Sequence, residues 1–181
     1  MPADMKHTIV ETYMEMVRRG NVDKITVKAL IEECHISRQT FYYHFRDIMD
    51  VLEWSFRMVV ERLVQRTLKA EGAEEAVRIF VSSTVENHQM IEKLMNSQRR
   101  REIEQLMTDA VETYLRELAR YKNPDLTVNV SNMEVSLHFI SCGIIGVLLK
   151  YGGMPQVDTE KLSKQLFQIL AREIPERENE K

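Results

Sequence analysis

From Ala3 to Asn123 the chain contains no proline and only two glycines, Gly20 and Gly72. Helix interiors tolerate those two residues least, so a stretch this long without them is most simply a succession of helices. Proline occurs only at positions 2, 124, 155 and 175. The expected fold class is all-α, with about nine helices and no strand. At 181 residues and 44% apolar content the chain can bury a real core. Two cysteines, Cys34 and Cys142, are too few for a disulfide framework or an all-cysteine zinc site. The longest nearly apolar run, Phe139 to Leu149, is too short to span a bilayer. The N-terminus has no basic-then-apolar signal pattern, so the chain reads as cytoplasmic, with no membrane association.

Periodicity and capping residues divide the chain. A first helix is expected from about Lys6 to Arg19, ended by Arg18 and Arg19 and by a Gly20 free to take positive φ. Thr26 can cap a second helix, Val27 to Cys34, and Ser37 a third, Arg38 to His44. Only His35 and Ile36 lie between them, which makes a helix–tight turn–helix unit. A fourth helix starts near Asp47, with Val51, Leu52, Phe56, Val59 and Leu63 on its apolar stripe. Further helices are expected over Ala73–Asn87, Gln89–Asn96 and Gln98–Tyr121, then a loop at Asn123-Pro124-Asp125. Ser131 and Glu134 form a capping box before the apolar Val135–Leu149. A last helix begins at Asp158 or Thr159, and the polar tail after Pro175 is expected to fray.

Segment 25–45, ITVKALIEECHISRQTFYYHF, carries the functional signal. Phe41 and Phe45 are four apart and share a face suited to burial against Val27, Leu30 and Ile36. The opposite face presents Arg38, Gln39, Tyr42 and Tyr43, with His44 and Arg46 at the end. An Arg can hold guanine O6 and N7 together, and a Gln adenine N6 and N7, in a major groove. Tyr and His suit phosphate oxygens. Residues 1–46 carry seven Lys and Arg against six Asp and Glu; the remainder carries eighteen against twenty-two. The chain is not a bulk polycation, so nucleic-acid binding would need a local patch.

Thr26-Val27, Ile36-Ser37, Thr40-Phe41-Tyr42 and Phe45 resemble the DNA-binding domain of the TetR family of transcriptional regulators. The string RQTFYYHFRD with Leu52-Glu53-Trp54 is similar to the subgroup that includes regulators of dihydroxyacetone kinase operons. The resemblance is strong over residues 6–60 and extends weakly to the C-terminus. It implies a three-helix DNA-binding domain over 1–46 and a helical ligand-binding and dimerisation domain over 47–181. It also implies a homodimer on a palindromic double-stranded DNA operator, and an unknown small-molecule effector that resets it; repression is the commonest mode. By position, base and phosphate contacts fall on Thr26, Lys28, Arg38, Gln39, Thr40, Tyr42, His44 and Arg46, and Ser37 and Tyr43 complete the candidate set. Three positions depart from the family pattern: His35 where Gly is usual in the turn, Ile31 where a small Ala is usual, and Ile48 where a phosphate-binding Lys is usual. Arg46 could substitute for that lysine.

The later part of the chain is less legible. Candidate ligand-binding residues are Trp54, His88, Met95, Met107, Tyr114, His138 and Cys142, each with an ordinary alternative as core or surface. His138 and Cys142 are four apart on one helix face, but two ligands do not make a metal site, and neither metal nor cofactor is expected. The segment FISCGIIGVLLKYGG looks like a family dimerisation helix. Phe139, Gly143, Gly146, Val147, Leu166 and Ile169 would form a self-complementary interface across a two-fold axis, or pack within one chain. Arg99-Arg100-Arg101 reads as a solvated run paired with Glu102 and Glu104. No nucleophile–base–orienter set, Gly-rich phosphate loop or metal spacing appears, so the chain is not expected to be an enzyme. The rival to the ligand-responsive repressor is an activator on the same scaffold that responds through a protein partner.

Overall fold

The computed structural model describes residues 2–122 and 130–173, with side chains over 5–120 and 133–171. The loop expected at Asn123-Pro124-Asp125, the side chain of Ser131 and the tail after Pro175 lie outside them. Among the described residues there are nine α-helices and no strand. They are α1 (Pro2–Arg19), α2 (Val27–Glu33), α3 (Arg38–His44), α4 (Ile48–Thr67), α5 (Ala73–Glu86), α6 (His88–Met95), α7 (Arg100–Lys122), α8 (Val130–Tyr151) and α9 (Thr159–Glu173).

The helix starts follow the expected capping chemistry. Thr26 accepts a hydrogen bond from the Ala29 amide at 3.1 Å, and Ser37 one from the Thr40 amide at 2.9 Å. Asp47 and Asp158 accept from the amides of Asp50 and Lys161, both at 2.9 Å, and so cap α4 and α9. Gly20 differs from expectation. No described glycine has positive φ, and its amide still donates to the Met16 carbonyl at 3.0 Å. The chain leaves α1 through a single 3-10 turn, Val22–Lys24, whose start Asn21 caps through its side chain.

The chain forms two compact units. The first joins residues 1–61 to 89–110, and the second joins 62–88 to 111–181. Segment 1–46 lies wholly in the first unit, which also takes in most of α4, nearly all of α6 and the first half of α7. Its core includes Ile9, Tyr13 and Val17 of α1, Leu30 of α2, Phe41 of α3, Val51 and Leu52 of α4, Leu94 of α6 and Ile103 of α7. Two side chains, Lys93 and Asp23, fasten α1 and the turn after it to later segments. The Lys93 ammonium donates to the carbonyls of Val17 (3.4 Å) and Arg18 at the carbonyl end of α1, where a cation is favoured. Asp23 accepts from the Gln98 amide at 3.0 Å.

In the second unit α5 packs along α9 and touches α8. The buried side of α8 carries Leu137, Ser141, Ile144, Ile145 and Leu148. Continuous helix from Met133 to Tyr151 makes α8 long and apolar enough, by length and composition alone, to cross a bilayer, with mean hydropathy 1.5. This corrects the expectation drawn from the shorter run Phe139–Leu149. The physical reason is that Met133, Val135 and Leu137 extend the apolar character N-terminally, so that only Glu134 and Lys150 are charged over the whole span.

Burial of Tyr13 has a measurable consequence. Its side chain is 1% exposed. Burial pushes its phenol from near 10 up to about 12, against the opposing pull of the Arg99 guanidinium. The fold therefore holds the protonated form. That stability is fully present below the unfolded value, near pH 10, and is lost as pH rises toward 12. At 1.36 kcal/mol per unit the loss is about 2–3 kcal/mol. Tyr13→Phe should flatten the alkaline limb of a Tm–pH curve; an equally steep limb in the variant would refute the assignment.

Candidate nucleic-acid interface

The third helix owes its orientation to its apolar back. Phe41 is fully buried and Phe45 is 2% exposed, with ring centroids 6.1 Å apart. Trp54 of α4 meets Phe45 edge-on at 6.3 Å and His7 of α1 at 6.2 Å, and the Lys6 ammonium lies over both Phe45 and Trp54. These rings anchor the inner face of α3, so its other face must turn outward. Arg38 and Gln39 are exposed, Tyr42 is 48% exposed and Tyr43 76%. The Arg38 guanidinium stands 5.7 Å from the centroid of the Tyr42 ring, a cation–π contact that pre-orders its planar fork. A seven-residue helix is about 10 Å long, short enough to enter a major groove about 12 Å wide.

The turn before α3 holds the one described non-glycine residue with positive φ, His35 at 54°. A side chain in this left-handed region costs on the order of 1 kcal/mol, the strain expected where His replaces the usual Gly. Ile36 still closes the turn, its amide donating to the Ile31 carbonyl at 3.2 Å.

The other candidate contacts divide by what already holds them. The hydroxyls of Ser37 and Thr40 share a hydrogen bond at 2.8 Å within the cap, and Thr40 is half-buried. Thr26 is exposed; as a cap it accepts from an amide and keeps its own O–H free to donate. Lys28 is exposed and only loosely paired with Glu32 at 3.9 Å. His44 is half-buried, edge-on to Tyr43 at 4.9 Å. Arg46 is tied to Asp50, which accepts from its backbone amide at 2.9 Å and its guanidinium at 3.4 Å. Burial pushes the Asp50 carboxyl up, but these hydrogen bonds and the Arg46 charge outweigh it and hold it below the usual carboxylate range. Before Arg46 can serve as the missing lysine, a phosphate must compete with Asp50 for its guanidinium.

The residues proposed from sequence for ligand binding do not gather in one place. Trp54, Met95 and Met107 belong to the first unit, where Trp54 packs edge-on to Phe45 and Met95 is 6% exposed core. In the second unit an apolar cavity of about 60 Å³ lies among Val77 and Phe80 of α5, Val111, Tyr114 and Leu115 of α7, and Leu166 of α9, with other apolar neighbours. Of the seven candidates only Tyr114 lines it. The Tyr114 ring stacks on Phe80 at 5.0 Å and its hydroxyl shares a hydrogen bond with Thr67 at 2.8 Å. Burial pushes its phenol up, opposed by the Thr67 hydrogen bond. His88 packs against Gly153, where an added Cβ would fall 2.6 Å from the imidazole. Leu166, expected at a dimer interface, instead turns into the cavity. Phe139 (70% exposed), Ile169 (55%), Gly143 and Gly146 do lie outward, with Val147 half-buried beside them. Arg99, Arg100 and Arg101 are exposed and form no ion pair with Glu102 or Glu104.

His138 and Cys142 are on the surface of α8. The Cys142 thiol lies 3.6 Å from His138 Nε2, and His138 Nδ1 lies 2.6 Å from Glu112 Oε1 of α7. Sequence spacing paired His138 with Cys142 and did not connect Glu112 to them. Glu112 is 26 residues from His138 and on another helix, so no spacing rule connects them. The three groups are strung in series through the imidazole and do not converge on a point a metal could occupy; among the described residues no cluster does.

Comparison with known proteins agrees with this geometry. Residues 20–84 match the model of the Mga helix-turn-helix domain, a span that contains α2, the turn and α3. No curated protein sequence matches the chain. Several solved structures are similar along nearly its whole length. One is the dihydroxyacetone kinase operon activator DhaS, 16% identical, with TM-score 0.62 over 94% of this chain and 96% of that one. Another is a TetR transcriptional regulator from Streptococcus agalactiae, 15% identical, with TM-score 0.64 over 93% and 94%. A third is FadR of Thermus thermophilus, a TetR-family repressor solved with lauroyl-CoA, 18% identical, with TM-score 0.61 over 97% and 98%. The chain is a helix-turn-helix protein with the fold of the TetR-family transcriptional regulators.

Proposed function

We propose that this chain is a cytoplasmic transcriptional regulator of the TetR family that binds a palindromic operator as a homodimer. The observation that carries the reading is the outward front of α3, with Arg38, Gln39 and Tyr42 exposed above a fully buried Phe41. Arg38 and Gln39 read base edges. Thr26, Lys28, Tyr43, His44 and, once released from Asp50, Arg46 meet phosphates. Ser37 and Thr40 position the helix. A small-molecule effector enters the apolar cavity beside Tyr114. Helix α7 lines that cavity with its second half and belongs to the DNA-reading unit with its first. Lys93 ties α6 to the end of α1, and Asp23 of the 3-10 turn after α1 holds the Gln98 amide just before α7, so displacement of those segments carries the reading head with it. Effector and operator prefer different head separations, and the difference in those preferences is the regulation.

Repression is the simplest sign, because a dimer seated on an operator blocks other proteins. An activator that responds through a protein partner is the second reading. It is favoured by the smallness of the cavity, about 60 Å³, and by the likeness to the activator DhaS. Selection of random duplexes on the purified chain, followed by band-shift titration, tests the shared core. The expected result is an inverted repeat bound by two chains, with log affinity falling by about 0.9 per neutralised phosphate per log unit of salt. Recovery of no sequence preference at all would overturn it.

A further inference from the structure

We infer that Arg99, Arg100 and Arg101, where α7 begins, form a second phosphate-binding surface that grips duplex backbone beyond the contacts of α2 and α3. The inference rests on the DNA-binding reading above and extends its footprint to a segment outside residues 1–46. One hydrogen bond sets the run beside the reading head. Asp23 accepts from the Gln98 amide at 3.0 Å, so the residue before the run sits against the 3-10 turn that precedes α2. Asp23 is three positions before Thr26, the cap of α2 and a proposed phosphate contact, and three residues span at most about 11 Å. Phosphates recur about every 3.4 Å of axis along each strand, so a strand held at Thr26 offers others within that distance. Both segments belong to the first unit, and Lys24, exposed in the same turn, adds a fourth cation.

The fold supplies these cations with no counter-charge. All three arginines are exposed, and among the described residues neither they nor Lys24 form an ion pair. Asp23 is occupied by the Gln98 amide, and Glu102 and Glu104, exposed on the same helix, do not pair with the run. Arg99 acts on the Tyr13 phenol, but burial keeps that group neutral. Cations where a helix begins also oppose its positive end, so the run costs the isolated chain stability. A polyanion relieves that cost, and the planar guanidinium fork matches a phosphate. Residues 1–46 carry only one more cation than anions, so the head alone is a weak partner for DNA. The run places charge where the head lacks it.

The test is Arg100→Gln together with Arg101→Gln in the full chain, on the operator duplex recovered by selection. Gln keeps helix propensity and takes cations away from a helix start, so Tm should not fall. The salt slope should drop by about 0.9 for each phosphate released, or by about two to four in the proposed homodimer. Affinity at low salt should fall about ten- to a hundredfold. The ratio between operator and scrambled duplex should be kept, because phosphates carry no base sequence. Phosphate-ethylation interference should lose one or two positions in each half-site and keep the position that Lys28→Ala removes. An unchanged slope and interference pattern, on a duplex that the wild-type chain binds, would overturn this inference and leave the parent reading standing. A wild-type chain that binds no duplex would overturn both.

Discussion

Replacing Arg38 and Gln39 with Ala is expected to abolish sequence-selective operator binding while leaving a folded chain. Each bidentate base contact is worth on the order of 1–3 kcal/mol of discrimination. The side chains are adjacent, so their losses will not simply add; a combined fall of two to four orders of magnitude in specific affinity is the expected range. The proposed homodimer would use each contact twice, which places the loss toward the upper end. Stability should barely move, because both side chains are exposed and the head is held by Phe41, Phe45 and Leu30 beneath them. Binding to unrelated duplex should fall only slightly, through the one charge removed with Arg38. Lys28→Ala gives the contrasting pattern: a uniform weakening across sequences and a salt slope smaller by about one phosphate. Band shifts on the selected operator and a scrambled duplex separate the two. If the double variant still discriminates between them, α3 does not read the bases.

Local chemistry was readable along the chain, and partnership between distant segments was not. Thr26, Ser37 and Asp158 mark helix starts because a short side-chain acceptor has one dominant use there, and each caps in the structure. The burial of Phe41 and Phe45 follows from four-residue spacing alone. At Gly20 a glycine permits positive φ without requiring it, and continued hydrogen bonding to Met16 holds ordinary helical geometry. Trp54 and Met95 show the limit of periodicity. It marks both as inward-facing, but not which core they enter, and both belong to the first unit. That unit is built from segments 1–61 and 89–110, and the pairing rests on contacts such as Lys93 with the end of α1, which have no sequence signature. The His138–Cys142 spacing was visible, whereas the carboxylate that completes the series was not, because Glu112 approaches from another helix. Leu166 and Ile169 are both apolar residues of α9, yet one lines the cavity and the other is 55% exposed.

Phe139→Glu is expected to convert the chain from a dimer into a monomer at micromolar concentration. Val135 and Phe139 of the long apolar α8 are each 70% exposed and Ile169 of α9 is 55% exposed, more outward apolar bulk than single scattered surface residues supply. Gly143 and Gly146 add no bulk to the same face, and the open space at each leaves room for a second helix to approach closely. In the proposed homodimer a two-fold axis would bring the patch onto itself, so one substitution would act twice per dimer. Each Phe removed forfeits about 1.5–3 kcal/mol of burial, and each carboxylate left in an apolar interface costs several more. The dimer dissociation constant should therefore rise by three orders of magnitude or more, as read by sedimentation. Leu166→Ala serves as the counter-case: it opens space beside the cavity, so it should lower Tm while leaving the dimer intact. Operator binding links this surface to the reading head. A monomer engages one half-site and loses the effective concentration that the second head supplies, so the Phe139 variant should bind the palindrome no better than an isolated half-site even though α3 is untouched. A Phe139→Glu chain that still sediments as a dimer would move the self-association surface away from α8.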